Sequence, residues 1–241
     1  MTKMMQSTNP YAEEWELFRD GVKDHELKIV HDDGLYKHLV MRTKGSWAWA
    51  WEIMTWPGSL AIRGDIGHKL VFTRENDMLA WFGGSCGGKR YDDGSLRINL
   101  SYWAEKTGVM DSLQRYSPKA FGNAARDTAL AYMKLELPDP AVDDGCWDPL
   151  DGDAETLLAA CCAIASMFEE LYGDDNYYYA SVESEGDARE WAERHQDILG
   201  TDFFWDMDFN DWDPQYVYTC YAIALTAEKY YNMTQKGVQD D

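Results

Sequence analysis

The chain lacks any apolar run approaching the roughly 18–20 residues that span a bilayer, so no membrane-spanning helix and no membrane partner are expected. Its start, MTKMMQSTNPYAEEWELF, has neither the apolar stretch nor the small-residue cleavage site of a signal peptide, and a cytoplasmic location in the cell that makes it is expected. Cysteine is sparse and unpatterned. The five (Cys86, Cys146, Cys161, Cys162, Cys220) are odd in number and form no CxxC pair, which argues against a disulfide framework and against a zinc site. Cys161 and Cys162 fall in the apolar helical run ETLLAACCAIASMF, where free thiols are expected to act as small buried hydrophobes. The five histidines form no HExxH or other paired ligand spacing, so no metal and no cofactor are expected.

Cations are missing too, but only from one stretch. Between Glu136 and Asp213 stand 23 acidic residues against two basic ones, Arg189 and Arg194, while the rest of the chain carries 20 of each sign. The whole formal charge of −21 therefore resides in that stretch. Such an anionic source disfavours direct binding to nucleic acid or to an anionic membrane, because both are polyanions that select lysine and arginine.

What is present is bulk. Hydrophobic residues make up 45% of the chain, including 11 Trp and 15 Tyr, so a packed core is expected despite the charge. The pattern predicts an α+β protein: an N-terminal antiparallel β-meander packed by helices, followed by a mainly helical acidic half. Residues 1–135 form the first region and 136–241 the second, packed on the first as one compact unit. Asn9-Pro10 opens a helix over about 10–23 with Trp15, Phe18 and Val22 on its apolar face. Two β-prone runs flank Asp32-Asp33-Gly34 as a hairpin. In WAWAWEIMTW, Trp47, Trp49 and Trp51 alternate with alanine and are expected on the core face of one strand. Pro57-Gly58 and the Gly64–Gly67 turn separate further short strands, making about five, with none expected after Thr73. Helices are then expected over ENDMLAWF, SYWAEKTG, Ser117 to Lys134, Asp153 to Leu171, Asp187 to Leu199, and from Asp213-Pro214 onward.

Two motif-like stretches dissolve on inspection. Gly83–Arg90 spells GxxxxGK, but Arg90 stands where a magnesium-binding Ser or Thr is required, and no strand precedes it, so a surface loop is expected. Asp206, Asp208, Asn210, Asp211 and Asp213 are spaced like a calcium loop, yet Asp211 and Val217 occupy the positions that need glycine and glutamate. With 43 scattered carboxylates, the sequence nominates no catalytic acid and base pair.

The run Glu52–Gly67 (EIMTWPGSLAIRGDIG), followed by Val71-Phe72-Thr73-Arg74 and Asp77-Met78, resembles a widespread family of phage and prophage proteins with a TWPG-x-LAI-x-GD-x-G signature. Ile98-Asn99, Tyr102–Lys106 and Tyr116-Ser117-Pro118 are similar to the family's next block, and the tryptophan-rich acidic patch before Tyr221–Ala224 is similar to its C-terminal end. Ser59 departs from it, where relatives would carry histidine. The resemblance implies origin rather than activity. Physically the block reads as sheet core and turns, with Leu60, Ile62, Val71 and Phe72 filling the sheet and Asp65 bonding its own turn.

Charge and phage-like origin together point to an acidic inhibitor of a host defence factor of the anti-CRISPR or anti-restriction type, a nucleic-acid mimic that occupies a basic groove. The expected partner-binding residues are the densest acidic clusters: Asp143, Asp144, Asp148, Asp151 and Asp153; Asp174 and Asp175; Glu183, Glu185 and Asp187; Asp206, Asp208, Asp211 and Asp213. A metal-dependent enzyme acting on nucleotides or nucleic acid, with Gly64, Asp65 and Lys89 in its site, is one alternative. A phage accessory interaction protein using aromatics around Trp205 and Trp212 is another.

Overall fold

The computed structural model describes residues 9–85, 90–136, 153–172 and 182–237. The protein is α+β, with an antiparallel five-stranded sheet in the N-terminal part and a mainly helical C-terminal half. No helix among the described residues is long and apolar enough to cross a membrane. The chain divides into two compact units, residues 1–114 with 212–241, and residues 115–211.

In the first unit, α1 (Ala12–Val22) precedes a meander of β1 (Glu26–Asp33), β2 (Tyr36–Arg42), β3 (Trp51–Trp56), β4 (Ser59–Gly64) and β5 (Leu70–Thr73). Each strand pairs with its chain neighbour, so every connection is a hairpin or short loop. Alternation assigns the faces. Leu39, Ile53, Ile62 and Leu70 lie side by side across four strands, and Thr55, Leu60 and Phe72 form the next row. All are buried. On the opposite face Glu52 bridges Arg63 and His38, at 3.0 and 3.2 Å.

The buried face is closed by α2 (Met78–Ser85), α3 (Leu100–Ala104) and above all α9 (Pro214–Gly237), the last helix of the chain. Tyr216, Val217, Cys220, Tyr221, Ile223, Ala224 and Ala227 of α9 are all buried. Trp51 is fully buried, and its indole N–H donates to the Thr226 hydroxyl at 2.8 Å, which satisfies a polar atom that would otherwise be stranded in the core. Asp213 caps α9 by accepting from Gln215 N at 2.8 Å, as its Asp-Pro start predicts.

The meander matches expectation in number and order, but its third strand starts late. Trp47, Trp49 and Trp51 do not share a strand. Trp51 is core, Trp49 sits in a left-handed turn at φ 56°, and Trp47 is 58% exposed beneath the Arg42 guanidinium. Gly64 explains why the chain bends there. It lies opposite Trp51, and a Cβ on it would fall 2.2 Å from the Ala50 carbonyl oxygen.

The second unit is built on α4 (Pro118–Glu136), α5 (Asp153–Tyr172), α6 (Glu185–Arg194), α7 (Gln196–Leu199) and α8 (Phe203–Asp206). Phe121, Ala125 and Ala129 give α4 a buried stripe at helical spacing, and Phe121 packs edge-on against Trp191 and Phe209 at 5.6 and 5.1 Å. On α5 the buried stripe falls on Ile164, Met167 and Leu171. Cys162 lies off that stripe and is exposed, which corrects its expected burial; the Cys161 side chain lies outside the described residues. Strands also recur after Thr73. β6 (Gln114–Tyr116) and β7 (Asn210–Trp212) pair as a two-stranded ribbon, too short for hydrophobic alternation to announce.

One ion pair, between the buried Lys37 and the more exposed Asp32, ties the first hairpin to α9. Asp32 accepts from Lys37 Nζ at 2.8 Å and from the Tyr230 hydroxyl at 2.6 Å. Burial alone would raise the Asp32 pKa, but these two donors outweigh it and hold the carboxyl below its ordinary value. A lowered folded-state pKa contributes stability that is present above the unfolded value, near 3.8, and is lost as pH falls through the folded one. Replacing Asp32→Asn should therefore lower the urea midpoint at pH 7, and the gap to the parent protein should close below the unfolded pKa. Gly64→Ala is expected to cost about 3 kcal/mol or more in the same measurement, because the new Cβ meets backbone that cannot yield.

Candidate functional site

The division of the chain concentrates its charge. Residues 115–211 hold 23 acidic and 6 basic residues, whereas the other unit holds 20 and 16. The second unit is thus the anionic one by construction, and its described surface shows which carboxylates are available to a partner.

At the head of α6, Glu183 and Glu185 are exposed, and no cation among the described residues pairs with either. Asp187 is exposed but committed. Ser184, not Asp187, is the helix cap: its hydroxyl accepts from Asp187 N at 3.2 Å while the Asp187 carboxylate accepts from Ser184 N at 3.2 Å. This reciprocal capping box satisfies two of the helix's orphan donors, and its negative charge sits favourably at the helix N-terminus. The helix was expected to start at Asp187 and starts two residues earlier, because an aspartate inside the first turn and one at a helix edge look alike without the backbone.

Glu185, Arg189 and Glu193 follow one another at four-residue spacing on α6, and Arg189 meets Glu193 at 3.5 Å. The Arg189 guanidinium also lies 4.1 Å from the centre of the Trp205 ring on α8. Trp205 is 65% exposed, backed by Phe204, with Asp206 exposed beside it. An exposed indole therefore lies against a cation, with the Asp206 carboxylate next to it in the chain. The other basic residue of the acidic stretch, Arg194, bonds Glu170, which also meets His195 at 3.1 Å.

Of the remaining expected residues, the Asp208 carboxylate turns inward on its own loop and accepts from Asn210 N and Nδ2 at 2.9 and 2.8 Å. Asp211 lies half-buried on β7. Asp213 belongs to the first unit, where it caps α9 and faces His68 Nε2 at 3.8 Å, so it is not part of the acidic unit. Asp143, Asp144, Asp148, Asp151, Asp174 and Asp175 lie outside the described residues; Asp153 opens α5, and its side chain is likewise not described. Of the expected residues, Glu183, Glu185 and Asp206 thus stand exposed on or next to α6 and α8, the two helices that Arg189 and Trp205 join. Trp205 was legible as a bulky residue in a polar stretch; its stacking with Arg189 was not, since the two stand sixteen positions apart, at a distance only folding fixes. Trp212 is half-buried, packed on the first unit's core 5.3 Å from Tyr216.

The alternative site at the GD turn is occupied by the backbone. Asp65 Oδ2 accepts from Trp49 N at 2.9 Å, and Asp65 N donates to Ala50 O at 2.8 Å, so the residue clamps the left-handed turn at Trp49. Lys89 lies outside the described residues. Among the described residues no cluster of three His, Cys, Asp or Glu is arranged to hold a metal ion. Comparison with protein-family models, curated proteins and solved structures returns no match.

If the Asp65 carboxylate is a clamp, its acceptor oxygen matters and its charge does not. Asp65→Ala should lower stability by about 1 kcal/mol, and Asp65→Asn by markedly less, in chemical denaturation with and without added magnesium.

Proposed function

We propose that this is a binding protein, not an enzyme, which inhibits a host nucleic-acid-binding defence factor by presenting the anionic surface of residues 115–211 to that factor's basic groove. The observation that carries this reading is the 23-to-6 excess of acids in that unit, with Arg189 and Arg194 already engaged by Glu193 and Glu170. Duplex DNA offers about one charge per 1.7 Å of axis, and a carboxylate-bearing helical surface competes for the same lysines and arginines. Trp205 supplies what charge alone cannot. An exposed indole set against a cation is the kind of anchor that dominates the energetics of protein interfaces. The resemblance of the TWPG block to phage proteins makes a host defence nuclease the partner of choice.

Electrostatic docking of this kind weakens as salt shortens the Debye length, about 10 Å at 0.1 M. Protein immobilised and exposed to host lysate should retain a nuclease or guided effector at low salt and release it at high salt. The combined variant Glu183→Gln, Glu185→Gln, Asp206→Asn should slow association about tenfold, and Trp205→Ala should speed dissociation. Retention of no nucleic-acid-binding protein, or retention unchanged in both variants, would sink the proposal.

A further inference from the structure

A second feature lies in the first unit and stands independently of the acidic surface. Where the chain enters α1 and α3 it leaves an open cavity of about 320 Å³. Its walls are aromatic, from Tyr11, Tyr91 and Trp212, and its polar groups come from Arg97, Asn99 and Ser101. Among the described residues no carboxylate lines it, although the chain has about twice as many acids as bases. Among the described residues the charged group lining it is Arg97, whose guanidinium lies 4.8 Å from the centre of the Tyr91 ring.

The donors are placed by the local fold. Asn99 caps α3 with its carbonyl oxygen, accepting from Tyr102 N at 3.2 Å, and this leaves the two N–H groups of its amide for another acceptor. Ser101 is exposed on the first turn of α3. Asn9, at the cavity's other side, is buried and locked: it donates to the Tyr221 hydroxyl at 3.0 Å and accepts from Tyr11 N at 3.0 Å, which fixes the Tyr11 wall. The lining thus combines a cation, an amide and a hydroxyl with flat aromatic surfaces.

We infer that this cavity binds a small anion built on a flat ring. The ring stacks on the tyrosine and tryptophan walls, and a single phosphate or carboxylate group accepts hydrogen bonds from Arg97, Asn99 and Ser101. The volume lies at the low end of small-molecule pockets, about 300–1,000 Å³, which limits the ligand to one ring system with its acidic group, a nucleoside monophosphate being the upper size.

Titration calorimetry and tryptophan fluorescence of the full-length protein test this in two arms, with AMP and CMP as phosphate probes and indole-3-acetate and benzoate as carboxylate probes. At least one probe should bind with a Kd below about 1 mM, and the uncharged parents adenosine and indole should bind about tenfold more weakly. The arm with the tighter Kd identifies the acidic group. Arg97→Gln should weaken binding at least about tenfold. Ser101→Trp should do the same by filling the mouth from an exposed position, and its circular dichroism should match the parent's. Failure of all four probes to bind, or an unchanged Kd in both variants, overturns the inference.

Discussion

The seating of α9 on the sheet is the constraint on which the first unit depends. An antiparallel meander buries only one face, and the residues that cover that face arrive from the far end of the sequence, more than 140 positions after the last strand of the meander. The contact is largely apolar, with polar bonds set into it from the Trp51 indole to the Thr226 hydroxyl and from the Tyr230 hydroxyl to Asp32. Tight backbone approach reinforces it. A Cβ on Gly67 would fall 2.2 Å from Gln215 O in the first turn of α9, so the loop before β5 lies directly on the helix start. Burying aromatic and aliphatic side chains of this size contributes about 1.5–3 kcal/mol each, which lets the sheet tolerate the left-handed turn at Trp49 and the burial of Lys37.

Because α9 returns to the first unit, residues 115–211 form an excursion that starts and ends on the β6–β7 ribbon. This topology is what isolates the charge. The helices of the excursion share an aromatic core around Phe121, Trp191, Phe203 and Phe209, and that core withstands the repulsion among the carboxylates outside it. Charge and aromatic content, which look contradictory in composition, are thus divided between the surface and the interior of one unit.

Much of the fold was legible in local chemistry. The Asp33-Gly34 hairpin, the Pro57-Gly58 turn with Gly58 at φ 80°, the Ser117-Pro118 helix start and the Asp213-Pro214 cap each place a residue whose backbone preference matches one conformation. Less was legible in the site. Alternation suggested that three tryptophans shared a strand, and the Asp65 clamp on Trp49 N broke that pattern through a bond sixteen residues long in sequence. Acid spacing grouped Asp206, Asp208, Asp211 and Asp213 as one cluster, whereas hydrogen bonds split it: Asp208 closes its own loop and Asp213 caps a helix of the other unit.

The sequence by itself determined the class of the protein, the order of the sheet, the helix starts at Ser117-Pro118 and Asp213-Pro214 and the sign and location of its charge, because these follow from side-chain type and near-neighbour spacing. Only the tertiary structure decided that the last helix belongs to the first sheet, that Arg189 holds Trp205 on the surface, and that a cavity free of lining carboxylates among the described residues forms where Arg97, Tyr91 and Trp212 meet. Those outcomes depend on contacts between residues far apart in the chain, and such contacts are selected by packing, which no local pattern encodes.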